Sequence, residues 1–545
     1  MGLMGASTTL EFLSADVVGL SPLARAALGG ELCVPGVRVS RAAEEVEQPA
    51  ERFDQEARAS LAERLEEALG PVSPPVAVLE SVRALREPGA CVVMTGQQPG
   101  LACGPLYSLW KGLQAVAVAR RLSAEWGAPV IPMFWNHADD HDIAEVHHTW
   151  LVNRNLDLQK VGLAGMSSGR QPFSRIVLGE EKNKLAAFAG LMREVYGDHP
   201  YIEEAVKALA PREGESLARA FTRGMTALLG RHGLVVFEPD WLRQDLSAAL
   251  ARLVGGAVPA ELAKGEADLV AAGHEVALPS AEAALVYRVD DDGRRPLRPG
   301  GEGYQFDGES GSRTAAELAA EIVQEPEAYS AGALLRPLAQ DIALPVCAYV
   351  GGWGELAYQA QLGRLREASG APVTAFLPRL SISLTDPETR ASLETLECTV
   401  ADILSAKGEW EPAEEGSERP PVLDTLRSLA EGARAELLDQ RAPLADLDPR
   451  LAGGLDRAAD QVRDAVEKVA KKAERVHANQ SGRGRRHERR ANHMLSPRGV
   501  LQERALGPLP FVAKFGLAWL DELLEELDPF APEHIHCGLP GAPEA

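Results

Sequence analysis

The sequence predicts an α/β protein with a parallel-sheet core, two insertions into that core and a C-terminal α-helical arm. Three observations carry this reading. "ACVVMTG" (90–96) and "APVIPMFW" (128–135) are apolar runs flanking a helical stretch. A strand–helix–strand unit within about fifty residues implies a parallel sheet with a right-handed crossover. The pattern resumes in "GLVVFEP" (233–239), "PVCAYVGG" (345–352) and "APVTAFLP" (371–378). From Thr389 onward apolar residues recur at helical spacing between charged faces, the pattern of a coiled-coil hairpin.

Taken in order, residues 1–90 read as an N-terminal helical segment packing on the core, since "RAAEEVEQPAERFDQEARASLAERLEEALG" is charged and amphipathic. Residues 91–152 form the first part of the core, with its helix running from about Pro105. Residues 153–230 read as a helical insertion and 231–254 as a core strand and helix. Residues 255–335 form a second insertion, in which Asp-Asp-Gly within "YRVDDDGRRPLRP" marks a β-hairpin turn. Residues 336–388 complete the core, with a helix from Gly354 to Glu367 between its two strands. The arm covers 389–492, and 493–545 returns to the core.

The 545 residues carry a formal charge of −23, with 45% hydrophobic and 25% charged residues, a soluble globular composition. That charge argues against a protein built around nucleic acid. A basic stretch from Lys471 to Arg504 departs from it but lacks interleaved aromatic residues, so it reads as a solvated helix end and loop. Six cysteines without a CxxC pair fit a reducing compartment. The N-terminus lacks a basic start with an apolar core, and no window reaches the roughly 18 apolar residues of a membrane helix. The expectation is a cytoplasmic protein without membrane contact.

Three stretches concentrate chemistry. "MTGQQPGLACGPLYSLWKG" (94–112) is a glycine-rich turn between strand and helix. Glycines there let the backbone approach a ligand, and a helix N-terminus offers N–H groups to an anion. Gln97 and Gln98 stand at the strand end, and Lys111 is placed to reach a phosphate or carboxylate. The alternative is a tight turn whose glycines only solve a backbone problem. "NHADDHDIAEVHH" (136–148) follows the next strand. With a helix starting near Asp142, His141, Glu145 and His148 would share one side, a set able to bind zinc or manganese, although H-E-x-x-H is absent. Asp142 as an N-cap with Glu145 at the third position, or a strand start in "EVHHTWLV", explains the same residues without a ligand. The third stretch, "LLRPLAQDIALPVCAYVGGWGELAYQAQLGRL", sets Arg336, Gln340 and Asp341 before a strand and Glu355 and Tyr358 after it, and Arg379 follows the next strand. Arg336 and Arg379 are candidate carboxylate or phosphate clamps. Either could equally be a structural ion pair.

These motifs, with "PRLSISL" (378–384) and "SPRGVLQERALGPLPFVAKFG" (496–516), resemble the bacillithiol-biosynthesis cysteine-adding enzymes, the BshC family, across nearly the whole chain. Family members usually carry glutamate where this chain has Asp139, and Gly-Pro-Gly where it has Gly352-Trp353-Gly354. The resemblance implies a Rossmann-like core similar to class I nucleotidyltransferases, two connecting segments and a coiled coil used for homodimerisation. It also implies a ligase adding L-cysteine to the amino group of glucosaminyl-malate. Amide formation needs an activated carboxylate, so ATP (or ADP left bound) is the expected cofactor; no metal is needed for the fold, and Mg²⁺ would enter only with a nucleotide. On this reading His141, with Asp140 and Asp142, is the catalytic group. Gln97, Gln98, Tyr107, Asp139, Glu145, Arg336, Gln340, Asp341, Glu355, Tyr358 and Arg379 contact substrate. Thr95, Gly96, Gly100, Gly104 and Lys111 contact the nucleotide. Two rival readings are a metal-dependent hydrolase or phosphatase built on 137–148 and a non-catalytic coiled-coil assembly protein.

Overall fold

The computed structural model describes residues 8–49, 53–163, 169–178, 182–300, 303–306, 312–412, 421–480 and 484–541. Its core is a six-stranded parallel sheet of β1 (Arg38–Val39), β2 (Cys91–Gln97), β3 (Val130–Asn136), β4 (Val235–Phe237), β5 (Val346–Gly351) and β6 (Ala375–Pro378). The spatial order is β1-β6-β5-β2-β3-β4. Strands β2 and β3 pair in register from Cys91–Val130 to Gln97–Asn136. Every residue of β3, and all of β2 but Gln97, is buried. Both faces of a parallel sheet are covered, which is why these segments are unbroken apolar runs rather than alternating ones.

The crossover helix α1 (Leu106–Trp126) is buried along most of its length, and Gly127 ends it at φ 63°. From β2 the chain builds outward through β3 to β4, then returns to the other side of β2 to lay down β5 and β6. The β2–β5 boundary is therefore the switch point, where an open α/β sheet leaves a crevice at the carboxyl ends of its strands. Helices α2 (Arg243–Val254), α3 (Arg336–Ala343) and α4 (Trp353–Gln359) border that crevice. The helix expected over 354–367 is broken: α4 ends at Gln359, and a short 3₁₀ turn leads into Gly363–Ser369.

The insertions contain more β-structure than their sequences suggest. The first opens with a hairpin, His148–Val152 against Leu158–Gly162, before its helices begin. The Asp-Asp-Gly turn does join a hairpin, Val286–Asp290 to Gly293–Gly300. That hairpin is the middle of a five-stranded antiparallel sheet whose edge strand, Tyr329–Ala331, lies beside Val286–Asp290. The N-terminal ninety residues supply edge strands as well as helices. Besides β1, Thr9–Leu13 pairs with His534–Gly538, which also pairs with Ser381–Thr385.

The arm is an antiparallel hairpin of α5 (Pro421–Asp439), α6 (Arg441–Leu447) and α7 (Pro449–Gln480). Ion pairs Arg427–Glu474, Arg434–Asp460 and Arg441–Asp456 fix its direction. The basic stretch expected to be a helix end and loop is largely helical: α8 (Gly484–Leu495) buries Ala491 and Leu495, while residues 481–483 lie outside the described residues. The C-terminal segment returns to the core, where Trp519 packs edge-on against Trp110 of α1 at 6.1 Å. Among the described residues no single helix is long and apolar enough to cross a membrane.

Candidate active site

A cavity of 330 Å³ opens where the carboxyl ends of β2 and β3 meet the inserted antiparallel sheet. Gln97, Gln98, His137, Asp139 and Asp140 line it from the core turns, and Arg336, Glu355 and Tyr358 from α3 and α4. Opposite stand Arg243 of α2 and Tyr287, Arg294 and Tyr329 of the inserted sheet. Seven of the residues singled out in the sequence therefore share one wall: Gln97, Gln98, Asp139, Asp140, Arg336, Glu355 and Tyr358.

The two adjacent aspartates are tethered across the cleft. Asp139 pairs with both terminal nitrogens of Arg243. Asp140 accepts hydrogen bonds from the Gln98 side chain (2.7 Å) and the His141 backbone (2.7 Å), and Arg294 lies 3.3 Å away. Arg294 in turn stacks 3.7 Å above the Tyr287 ring. Burial alone would raise the Asp140 pKa, but His141, Arg294 and Gln98 together hold it well below the usual carboxylate range. His141 stands just behind this wall, its Nδ1 3.5 Å from Asp140 Oδ1 and too poorly aimed to bond, its ring edge-on to Tyr287 at 6.0 Å.

The rest of the acidic-histidine stretch turns away. The helix after Asp142 is a single turn, Ile143–Val146, so His141, Glu145 and His148 do not share a helical face. Asp142 is exposed and caps that turn, accepting from the Ala144 N–H at 3.1 Å, and Glu145 is exposed. His148 opens a strand instead. Among the described residues no group of three or more His, Cys, Asp or Glu is arranged to hold a metal ion.

The opposite end of the cleft carries two buried cations in different circumstances. Lys111 donates to Gly96 O (2.8 Å), Gln97 Oε1 (3.0 Å) and Glu355. Glu355 also accepts from Gly352 N–H (2.8 Å) and the Tyr349 hydroxyl (2.5 Å). Burial would raise the Glu355 pKa, but the Lys111 ammonium and these donors bring it down to about 2. Arg336 is only 8% exposed, yet its contacts are neutral oxygens: Gln340 Oε1 (3.2 Å), Tyr358 Oη (3.2 Å) and Tyr349 Oη (3.5 Å). Among the described residues no carboxylate lies within ion-pair distance of it. Burial opposes its charge, but Tyr349, Tyr358 and Glu355 outweigh that and keep the guanidinium protonated.

Several expected contacts lie outside the cavity. Asp341 is locked in a buried pair with Arg366 (2.6 Å) and accepts from Gln340 (3.1 Å), so both residues act behind Arg336. Arg379 pairs with Glu503 at 2.7 Å and lies over the Tyr107 ring at 5.5 Å. Tyr107 accepts a long hydrogen bond from Gln97 (3.4 Å) and does not itself line the cavity. The side chains of the turn expected to hold a nucleotide are engaged within the fold. Thr95 Oγ1 donates to Val350 O (2.8 Å), stitching β2 to β5. A Cβ at Gly96 would sit 2.8 Å from Trp135 O, one at Gly100 would sit 1.8 Å from Gly104 O, and one at Gly104 would sit 3.1 Å from Thr149 Oγ1. The first N–H of α1 is taken by Leu506 O at 2.8 Å. With Lys111 also engaged, these residues are a packed junction and do not fit a phosphate chain.

Sequence reasoning took His137 only as the first residue of the 137–148 stretch and gave it no role of its own, although it follows β3 directly, the position a sheet of this kind reserves for ligands. Arg294 was visible only as part of a hairpin turn, and Arg243 and Tyr287 gave no signal.

Comparison with known proteins agrees with this architecture. Residues 38–380 match the model of the bacillithiol biosynthesis BshC N-terminal Rossmann-like domain, and 382–538 that of the BshC C-terminal coiled-coil domain. A protein of Koribacter versatilis named "Putative cysteine ligase BshC" is 32% identical over 477 residues, 86% of this chain and 87% of its own length. Proteins of the same name from Solibacter usitatus (31%, covering 79% and 82%) and Salinibacter ruber (27%, covering 82% of each) are similar along most of their lengths. The chain belongs to the BshC family of bacillithiol biosynthesis.

Proposed function

We propose that the cleft joins L-cysteine to the amino group of glucosaminyl-malate, forming an amide bond. One observation carries the reading: Arg336 is a buried cation with no carboxylate partner among the described residues, facing a cavity whose other arginines are paired. A buried charge is costly unless compensated, and a ligand carboxylate supplies the missing partner with charge-assisted hydrogen bonds. Asp140, held anionic beside the cavity, suits the amine end of a substrate. His141, behind it, is the acid–base group that keeps the attacking amine neutral.

The carboxylate of cysteine must be activated before the amine attacks, and a nucleoside triphosphate is the co-substrate for that, with Mg²⁺ as its counter-ion. Thr95 and Lys111, expected to contact the nucleotide, are engaged within the fold, so no step is assigned to them. The arm pairs with that of a second copy. Val422, Leu429 and Val469 are 57%, 62% and 58% exposed on it, an apolar surface that an isolated hairpin leaves open.

The test is purified protein with isotope-labelled cysteine and glucosaminyl-malate, with and without ATP, read by mass spectrometry. An ATP-dependent adduct carrying the cysteine mass supports the reading. No adduct under either condition overturns it.

A further inference from the structure

His137 is a cleft residue with unspent hydrogen-bonding capacity. Its backbone is fixed by donation to Gln97 O at 3.0 Å, which directs the side chain into the wall of the cavity. Nε2 is buried without a partner, and no described residue hydrogen-bonds the other ring nitrogen. The ring lies against the backbone of β2, where a Cβ on Gly96 would come within 2.9 Å of Nε2. The glycine in the central strand is what makes room for an imidazole here. With Nε2 sealed against Gly96, Nδ1 is the nitrogen left for a ligand.

We propose that His137 is a specificity-determining residue that hydrogen-bonds, through Nδ1–H, the same substrate carboxylate that Arg336 receives. The inference rests on the reading of Arg336 given above. Burial, followed by the charge of Arg336, brings the His137 pKa down to about 3, so at neutral pH the ring is an uncharged donor beside Arg336, while the neighbouring Lys111 is paired with Glu355. One positive charge plus one neutral N–H matches a singly charged carboxylate better than a doubly charged phosphate. A ligand carboxylate also selects the Nδ1–H tautomer, because an unprotonated Nδ1 would face it lone pair to lone pair.

The experiment uses the full-length protein and L-malate as probe, with calorimetric titration at neutral pH and inorganic phosphate as the comparison anion. Wild type binds malate in preference to phosphate, and Arg336→Ala loses binding. His137→Ala weakens binding about tenfold, the size of a lost hydrogen bond to a charged group. His137→Asn, whose amide nitrogen can occupy the place of Nδ1, stays within about threefold of wild type. In protein labelled with ¹⁵N-histidine, the resonance missing from His137→Asn shifts on malate addition to the Nδ1–H pattern, which a packing role would not produce. If His137→Ala binds malate like wild type while Arg336→Ala does not, the inference falls and the reading of Arg336 stands. If wild type does not bind malate, or Arg336→Ala binds it equally well, that reading fails and the inference with it. Equal binding of phosphate overturns the selectivity. Should His137→Ala not fold, His137→Asn and the resonance shift still decide.

Discussion

Arg336 and Arg379 look interchangeable in the sequence and are opposites in the fold. Each borders a core strand, each has a side chain covered over most of its surface, and each lies near an aromatic ring. Arg379 meets Glu503, a carboxylate with no exposed surface that also accepts from Ile382 N–H and the Ser381 hydroxyl. Arg336 meets an amide and two phenols. The first is a finished structural pair and the second an unfinished one. Burial of an arginine is thus a weak sign of a ligand, and burial without a carboxylate a strong one.

This contrast breaks most visibly in stability. Arg379→Ala leaves Glu503 charged and uncompensated in the core, at a cost of about 3–5 kcal/mol in urea unfolding. Arg336→Ala costs no more than about 1–2 kcal/mol but lowers kcat/KM for the carboxylate-bearing acceptor about a hundredfold. Comparable destabilisation by both variants would erase the distinction.

The Lys111–Glu355 pair gives a pH signature of similar size. The Glu355 pKa falls from 4.5 to about 2 on folding. A depressed carboxylate stabilises the fold fully above its unfolded pKa and progressively less as pH falls through the folded one. Stability on the order of 3 kcal/mol is therefore lost between about pH 4.5 and 2. Glu355→Gln flattens that limb in acid titrations followed by circular dichroism.

Gly96→Ala is next, since its methyl group must displace Trp135 O or the His137 ring. Overpacking of this kind costs about 1–3 kcal/mol, and acceptor affinity falls with it. The smallest effect belongs to Asp142→Ala, which removes a cap from a single exposed turn for about 0.5–1 kcal/mol and leaves kcat unchanged in the adduct assay. A collapse of kcat there would return Asp142 to the catalytic machinery.

The core was legible because a sheet covered on both faces must be written as apolar runs, and "CVVM" and "VIPMFW" admit little else. Residues immediately after those runs were legible as site candidates for the same reason. The stretch 136–148 was harder. Its spacing suited a helical face, but the chain forms one turn there and then a strand, a choice set by the pairing of His148–Val152 with Leu158–Gly162. Arg243, Tyr287 and Arg294 were out of reach because they enter the cleft only when the inserted sheet and α2 close over the core. The partner that removes Arg379 from the site lies 124 residues further along the chain.

The most direct test of the central claim is a crystal structure of the protein with glucosaminyl-malate bound. The account predicts a malyl carboxylate seated on Arg336, between the ends of β2 and β3 and the inserted antiparallel sheet. A ligand bound elsewhere, with Arg336 still held only by Gln340, Tyr349 and Tyr358, would contradict it.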